Sequence, residues 1–329
     1  MATRKATAAI IATATCTGVG GFFFGLSFKD RDRFLVHAQL KDVLQPSSLA
    51  PPANSTAAVF DAGALREKNS MISPSSPSPS PTAVATVGPH RVSEIMAYGF
   101  PTTDYVRSRS DYVLAYDRKN RNALWVAEHL TAERLLDRTK VSRKLSAFQE
   151  DQSVHPYFRS TNEDYRASGF DRGHLAAAAN HWVSQDSLDE TFFLSNISPQ
   201  VGVGFNRDAW NTLEKYSRDK AKSNRSVFVM TGPLYLPSLE QDGKHYVKYQ
   251  VIGPNSVAVP THFFKALLCQ SATGEFHMEC FVMPNKPIGS TIRVTDFYVP
   301  RDMIERAAGF LLFEGLPRSA LKTMNGRKV

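Results

Sequence analysis

The stretch GFDRGHLAAAANH (Gly169–His181) places His174 two residues after Arg172 and three after Asp171. SNISPQ (Ser195–Gln200) comes next, and FNRDAWNTLE (Phe205–Glu214) then sets Asn206 at a helix start and Glu214 two turns later. An imidazole can take a proton near neutral pH, and an amide oxygen can ligate a hard cation. A carboxylate nearby completes a hydrolytic set, in which water is activated and a cation offsets the charge that develops. A lone histidine is more often structural than catalytic. The weight therefore rests on Asn206 and Glu214, later in the same stretch of chain.

These groups need elements to hold them. AWNTLEKYSRDKAK (Ala209–Lys222) carries Trp210, Leu213, Tyr216 and Ser217 at helical spacing. Glu214 is eight residues beyond Asn206, which on an ideal helix is about 12 Å of rise and roughly 80° of rotation. The two cannot readily bind one ion directly. Around this helix the pattern is one of strands. SDYVLAYDRKNRNALWVAEHL (Ser110–Leu130) reads as a hairpin about a polar KNRN turn, and SVFVMTGPLY (Ser226–Tyr235) as a β-branched strand ended by Gly-Pro. VKYQVIG and VAVPTHFFKALLCQ add further strands, and PRDMIERAAGFLLFE reads as a helix started by Pro300 and Asp302. Strand groups interrupted by helices, without βαβ alternation, predict an α+β domain.

The whole chain has 329 residues, a formal net charge of +8 and a pI near 9.3. Hydrophobic residues make up 42% and charged residues 21%, which excludes a wholly disordered or collagen-like protein. Cys16, Cys269 and Cys280 are too few and scattered for a disulfide framework. The basic excess favours a polyanionic partner without naming one. Arg4 and Lys5 precede an uncharged run, Ala6–Phe28, rich in Ala, Thr, Gly and Phe. A basic, Thr-rich, acid-free start suits a mitochondrial presequence followed by a sorting or membrane-anchor segment. From Gln45 to Pro89 the composition turns to Pro, Ser and Ala, the signature of a flexible tether. The expected organisation is targeting segment 1–35, linker 36–89, catalytic domain 90–320 and tail 321–329.

From about Val92 to about Arg318 the chain resembles the DNA/RNA non-specific endonucleases of the ββα-metal group. The resemblance is carried in one order by SVHPYFRSTNEDYRASGFDRGHLAAAANH, DETFFLSNISPQV, AWNTLEKYSR, TGPLYLP, YVKYQVIG and VAVPTHFFK. It implies a ββα-metal fold with mixed or antiparallel sheets flanked by helices, and a metal site on a strand–loop–helix unit. It also implies Mg²⁺-dependent hydrolysis of DNA and RNA leaving 5′-phosphate and 3′-hydroxyl ends, with Mn²⁺ as a substitute ion.

Residue by residue, His174 matches the family's general base and Asn206 the single protein ligand of a hydrated Mg²⁺. Glu214 matches the carboxylate that holds a metal-bound water, and Arg172 the arginine at the scissile phosphate. Asp171 is read as orienting its neighbours, and Asn196 and Gln200 as fixing the metal-site loop by hydrogen bonds. Gly173 fits either a close approach beside the metal or a plain turn. Trp210 reads as core, His262 as a strand histidine, and His181 as a motif residue rather than a zinc ligand. One departure stands out: Gln149 occupies a place where an arginine is common, and Arg159 or Arg166 could substitute for it. The resemblance further implies a homodimer, contact with the mitochondrial inner membrane through the N-terminal segment, and residence in the intermembrane space or inner membrane. Roles in mitochondrial DNA turnover and cell-death DNA degradation, with passage to the nucleus after release, belong to the same implication. The rival reading is a catalytically silent, membrane-tethered nucleic-acid-binding protein of the same fold.

Overall fold

The computed structural model describes residues 105–136 and 141–329. The run Ala6–Phe28, the Pro/Ser segment and the boundary at residue 90 lie outside the described residues. The predicted hairpin forms: β1 (Val106–Ser108) edges β2 (Tyr112–Asp117), which turns into β3 (Asn122–Leu130). Asp117 shapes the turn by accepting from the backbone N–H groups of Lys119 at 2.8 Å and Asn120 at 3.2 Å. Such Asx-type closure is why Asp favours turns.

After a short helix, α1 (Ala132–Leu136), the chain builds the site elements. These are α2 (Asn162–Tyr165), β4 (Asp171–His174), α3 (Gln185–Glu190), β5 (Ile197–Gln200), a kinked helical segment (Gly202–Trp210) and α4 (Asn211–Ser223). β6 (Ser226–Leu234) then returns to the main sheet. Short pairs β7 (Ser238–Leu239) with β8 (His245–Tyr246), and β9 (Val251–Ile252) with β10 (Val257–Ala258), lead into β11 (His262–Gln270) and β12 (Phe276–Pro284). Helix α5 (Arg301–Ala308) and strands β13 (Leu321–Met324) and β14 (Arg327–Lys328) finish the chain.

The main sheet runs β1-β2-β3-β6-β11-β12-β13-β14, antiparallel throughout except between β12 and β13. Central β11 is buried on both faces. Phe263, Leu267 and Cys269 join a core with Trp210 and Leu213. Phe264, Ala266 and Leu268 join a second core with Met303 and Ile304 of α5. The sheet is thus the middle layer, α4 lies on one side and α5 on the other, and the α+β expectation holds.

Four details differ from the sequence reading. Helix α5 stops at Ala308 because Gly309 takes a left-handed φ of 80° and its N–H caps Glu305 O at 2.9 Å. FLLFE therefore lies beyond it. In VKYQVIG only Val251–Ile252 is strand. β12 went unread because Val282 is its one β-branched residue, leaving an apolar run that periodicity alone does not assign to a strand. Residues 321–329, expected as a tail, add β13 and β14 to the main sheet. Among the described residues no helix is long and apolar enough to cross a membrane.

Candidate active site

β4 and β5 form a two-stranded antiparallel ribbon, with Asp171 opposite Gln200 and His174 opposite Ile197. Asn196 staples the chain just past His174. Its Oδ1 accepts from Ala176 N at 2.9 Å, and its Nδ2 donates to Ala176 O at 3.0 Å and Thr191 O at 2.8 Å. These bonds tie the chain after β4 to the segment that leads into β5. Gln200 differs: its buried amide has no hydrogen-bond partner among the described residues. It lies against Gly173, where an added Cβ would sit 2.1 Å from Gln200 Oε1. Gln200 thus supports the ribbon by packing, and Gly173 is small to make room for that side chain.

β5 leads into Gly202–Trp210, whose helical course is broken at Val203 (φ −72°, ψ 135°) and Gly204 (φ 83°). Gly204 is required twice over. Its φ is left-handed, and a Cβ there would meet Pro287 Cβ at 2.8 Å. Beyond the kink, Phe205 and Trp210 drop into the core, their rings 5.6 Å apart and each near Phe263. Burying a side chain of Phe size contributes about 2 kcal/mol, so the segment is anchored at both ends of a turn. Asn206 and Arg207 are left facing outward between the anchors.

Asp171 governs both of them. Its carboxylate accepts from Asn206 Nδ2 at 3.0 Å and from Arg207 Nε and Nη2 at 2.8 and 2.7 Å. A carboxylate only accepts, so Asn206 must turn its NH₂ to Asp171 and its oxygen away. Arg207 first, with Asn206, holds the Asp171 carboxyl below the ordinary carboxylate range despite partial burial. Arg172 on β4 is pinned differently: Nη1 donates to Asn162 Oδ1 at 2.6 Å, and the guanidinium lies 4.3 Å over the Phe148 ring. Asn162 is set by α2, which opens with Thr161 N–H donating to Asp164 Oδ2 at 2.7 Å.

These elements enclose a cleft of about 340 Å³ lined by Arg143, Phe148, Arg172, His174, Ala177, Ala178, Ala179, Asn206, Arg207, Asn211 and Glu214. Four sequence-predicted residues (His174, Arg172, Asn206 and Glu214) share its wall. Asp171 stands behind Asn206, and Asn196 and Gln200 brace the ribbon. Arg143, Phe148 and Arg207 went unread, since nothing in their local spacing marks them. Arg143 comes from a separate 3₁₀ turn (Arg143–Leu145). Neither Arg159 nor Arg166 lines the cleft. Arg159 turns to Val154 O and Glu150, and Arg166 to Glu163. Gln149 instead pairs its backbone with Phe192 and Leu194.

His174 is 9% exposed, set against Phe148 and edge-on to Phe192 at 4.7 Å. Burial, with the Arg143 and His181 cations, pushes its pKa down to about 3. The imidazole is therefore neutral at physiological pH and holds a free lone pair. Its Nε2 is sealed without a partner among the described residues. Glu214 is half-buried, and burial raises its pKa to about 7 against the pull of Lys265 and Arg218.

Behind the cleft, His181 hydrogen-bonds to Asp111 and Glu128, both at 3.0 Å. Burial opposes its charge, but these two carboxylates raise its pKa to about 9. Asn180 Nδ2 donates to Glu128 at 2.8 Å and its Oδ1 accepts from Arg218 at 3.1 Å. His181 thus serves a buried polar network. Trp210 is fully buried, and His262 is a buried strand histidine whose pKa burial pushes down to about 3.

Among the described residues no group of three or more His, Cys, Asp or Glu is placed to hold a metal ion. Beside the Asn211 amide, the cleft offers the oriented amide oxygen of Asn206 and the Glu214 carboxylate. That donor set fits a hard cation that keeps most of its water, as Mg²⁺ does.

Residues 91–319 match the DNA/RNA non-specific endonuclease family. The chain is 52% identical over 242 residues to mitochondrial endonuclease G of Caenorhabditis elegans, covering 74% of this chain and 79% of that one. It is 55% identical over 218 residues to mitochondrial endonuclease G of Homo sapiens, covering 66% and 72%. Among solved structures it is similar to one in a crystal structure of an EndoG/EndoGI complex. The TM-score is 0.68 and the identity 56%, over 74% of this chain and all of that chain.

Proposed function

Because the chain belongs to the DNA/RNA non-specific endonuclease family, we propose that its cleft cuts DNA and RNA with His174 as general base and one Mg²⁺. The observation that carries this is the shared wall: a neutral His174, an Asn206 held in one orientation and Glu214 border one cleft of about 340 Å³. With Nε2 sealed, Nδ1 is the ring nitrogen assigned to take the proton from water. Arg172, fixed by Asn162 and Phe148, and Arg143 and Arg207 supply the positive rim for a phosphate. Asn206 would hold the ion through its oxygen, and Glu214 through the ion's water shell. A bound Mg²⁺ would offset charge on the scissile phosphate and on the leaving 3′ oxygen. The products are then a 5′-phosphate and a 3′-hydroxyl.

We place the enzyme in the mitochondrion. Relatives named as mitochondrial at 52% and 55% identity, and the acid-free N-terminal run, support this. N-terminal sequencing of the mature protein reads the processing site and shows whether the apolar run is retained as an anchor. A homodimer is part of the same proposal; sedimentation showing only monomer at micromolar concentration removes it.

Plasmid nicking with and without EDTA tests the central reading. Cleavage should require the metal, and His174→Ala should lose about two to four orders of magnitude in turnover while still binding DNA. Binding without cleavage in the parent protein would favour the silent nucleic-acid-binding reading instead. Loss of binding in His174→Ala, with turnover of bound substrate intact, would make His174 a phosphate contact.

A further inference from the structure

A second hollow, of about 410 Å³, adjoins the active cleft and shares Arg207 and Asn211 with it. Its size falls within the range of small-ligand pockets. Its floor is apolar, formed by buried Ile288 and by Ile292, and Lys215 stands at its rim. Val203 projects into this setting 72% exposed. Its backbone is held fast, because Gly204 packs on Pro287 and Gly204 O accepts from Ile288 N at 3.1 Å. Arg207 is already paired with Asp171 and the Asp208 carboxylate also lines the hollow, so Lys215 is the cation left to a ligand. A rigidly presented apolar side chain beside it matches a ligand with a flat apolar face and a negative charge. A nucleotide unit has both.

We propose that the Val203–Lys215 hollow receives the nucleotide next to the scissile phosphate, its base laid on Val203 and Ile288 and its outer phosphate paired with Lys215. This rests on the proposed nuclease function, since continuity through Arg207 and Asn211 puts the hollow one nucleotide from the cleft. The substrate is then gripped as a strand, by backbone charge and by base faces of any sequence, which suits cutting without base preference.

Cleavage of a thymidine dinucleotide and of a longer oligothymidylate provides the test, using the full domain in the presence of Mg²⁺. In the parent, kcat/KM should rise with length. In Lys215→Glu the ratio of long to short should fall about fivefold, because only the longer strand carries the outer phosphate. Val203→Ser, whose base is present in both substrates, should lose about fivefold in kcat/KM on each. In Lys215→Ala the slope of log KM against log salt should drop by about 0.7, one phosphate contact on a single strand. A length ratio equal to the parent's in Lys215→Glu, or unchanged cleavage of both substrates by Val203→Ser, overturns the proposal. An equal loss on both substrates in Lys215→Glu overturns it too, and would assign Lys215 to the general field of the cleft. If the parent cleaves nothing, the nuclease reading fails by itself. Fluorescence anisotropy of oligothymidylate in EDTA then still reads the hollow, with weaker binding expected for Lys215→Glu and equal binding refuting it.

Discussion

Replacing Asp171 by asparagine should raise the Mg²⁺ concentration for half-maximal cleavage about tenfold while barely changing stability. In the native site a pure acceptor faces Asn206 Nδ2 at 3.0 Å, so only one orientation of that amide is favourable. An asparagine at 171 offers an oxygen on one side and an NH₂ on the other, so the Asn206 amide is free to flip. The Arg207 fork, at 2.8 and 2.7 Å, also loses its anion. A hydrogen bond to a charged group contributes about 1.5 to 3 kcal/mol. With Asp171 22% and Arg207 63% exposed, solvent screening favours the lower end. About 1.4 kcal/mol is a factor of ten in affinity. Stability should fall by no more than about 1 kcal/mol, as for other exposed ion pairs. Nicking of supercoiled plasmid across a Mg²⁺ titration, at constant pH and ionic strength, measures the first quantity, and thermal melting the second. Half-saturation within twofold of the parent, with activity depressed even at saturating Mg²⁺, would refute the orientation argument and move Asp171 into substrate binding.

Asn206→Ala should remove most cleavage with a melting temperature close to the parent's, since folding loses one hydrogen bond to Asp171. Retained activity with unchanged Mg²⁺ dependence would place the ion elsewhere. Gly173→Ala should destabilise by about 1 to 3 kcal/mol, because its Cβ would fall 2.1 Å from Gln200 Oε1; denaturant unfolding that matches the parent would show that Gln200 retreats at no cost. His181, raised to about 9 by Asp111 and Glu128 against burial, should add stability that is complete below about pH 6.5, its unfolded value. That contribution is lost as pH rises through about 9. Comparison of parent and His181→Gln by denaturant midpoint at acid and alkaline pH should show the gap closing upward; a gap constant with pH would mean that His181 is not held charged.

The candidate cleft residues were legible in the sequence because they lie close together along the chain. His174, Asn206 and Glu214 fall within one stretch, and helix periodicity alone sets the offset between Asn206 and Glu214. What stayed hidden were interactions made across the fold. Arg143 arrives from a short turn and Phe148 from irregular chain, neither with a periodic signal, and Asn162 fixes Arg172 from helix α2. The Arg207 fork depends on β4 and the kinked segment meeting, and spacing says nothing about that. Gly173 was ambiguous for the same reason, because the space it frees is taken by Gln200 from the facing strand. Among the elements, the hairpin was legible from its alternation and turn residues. β12 was not, since its apolar run carries a single β-branched residue, Val282, and periodicity alone does not assign such a run to a strand.

The pairing of ribbon and kinked helix also sets when activity can arise during folding. β4 and β5 make only a two-stranded unit, and such a ribbon is marginal by itself in water. It is held by Leu175, Phe205 and Trp210, which are buried in the same core as Phe263 of β11 and Val126 of β3. Those strands meet only after distant parts of the chain have paired, the slow kind of step in folding. During refolding, recovery of cleavage should therefore lag recovery of far-ultraviolet circular dichroism; simultaneous recovery would show that the ribbon is competent early. A nascent or extended chain carries every catalytic side chain and no catalyst. The topology thus keeps a destructive activity silent until the protein has finished folding.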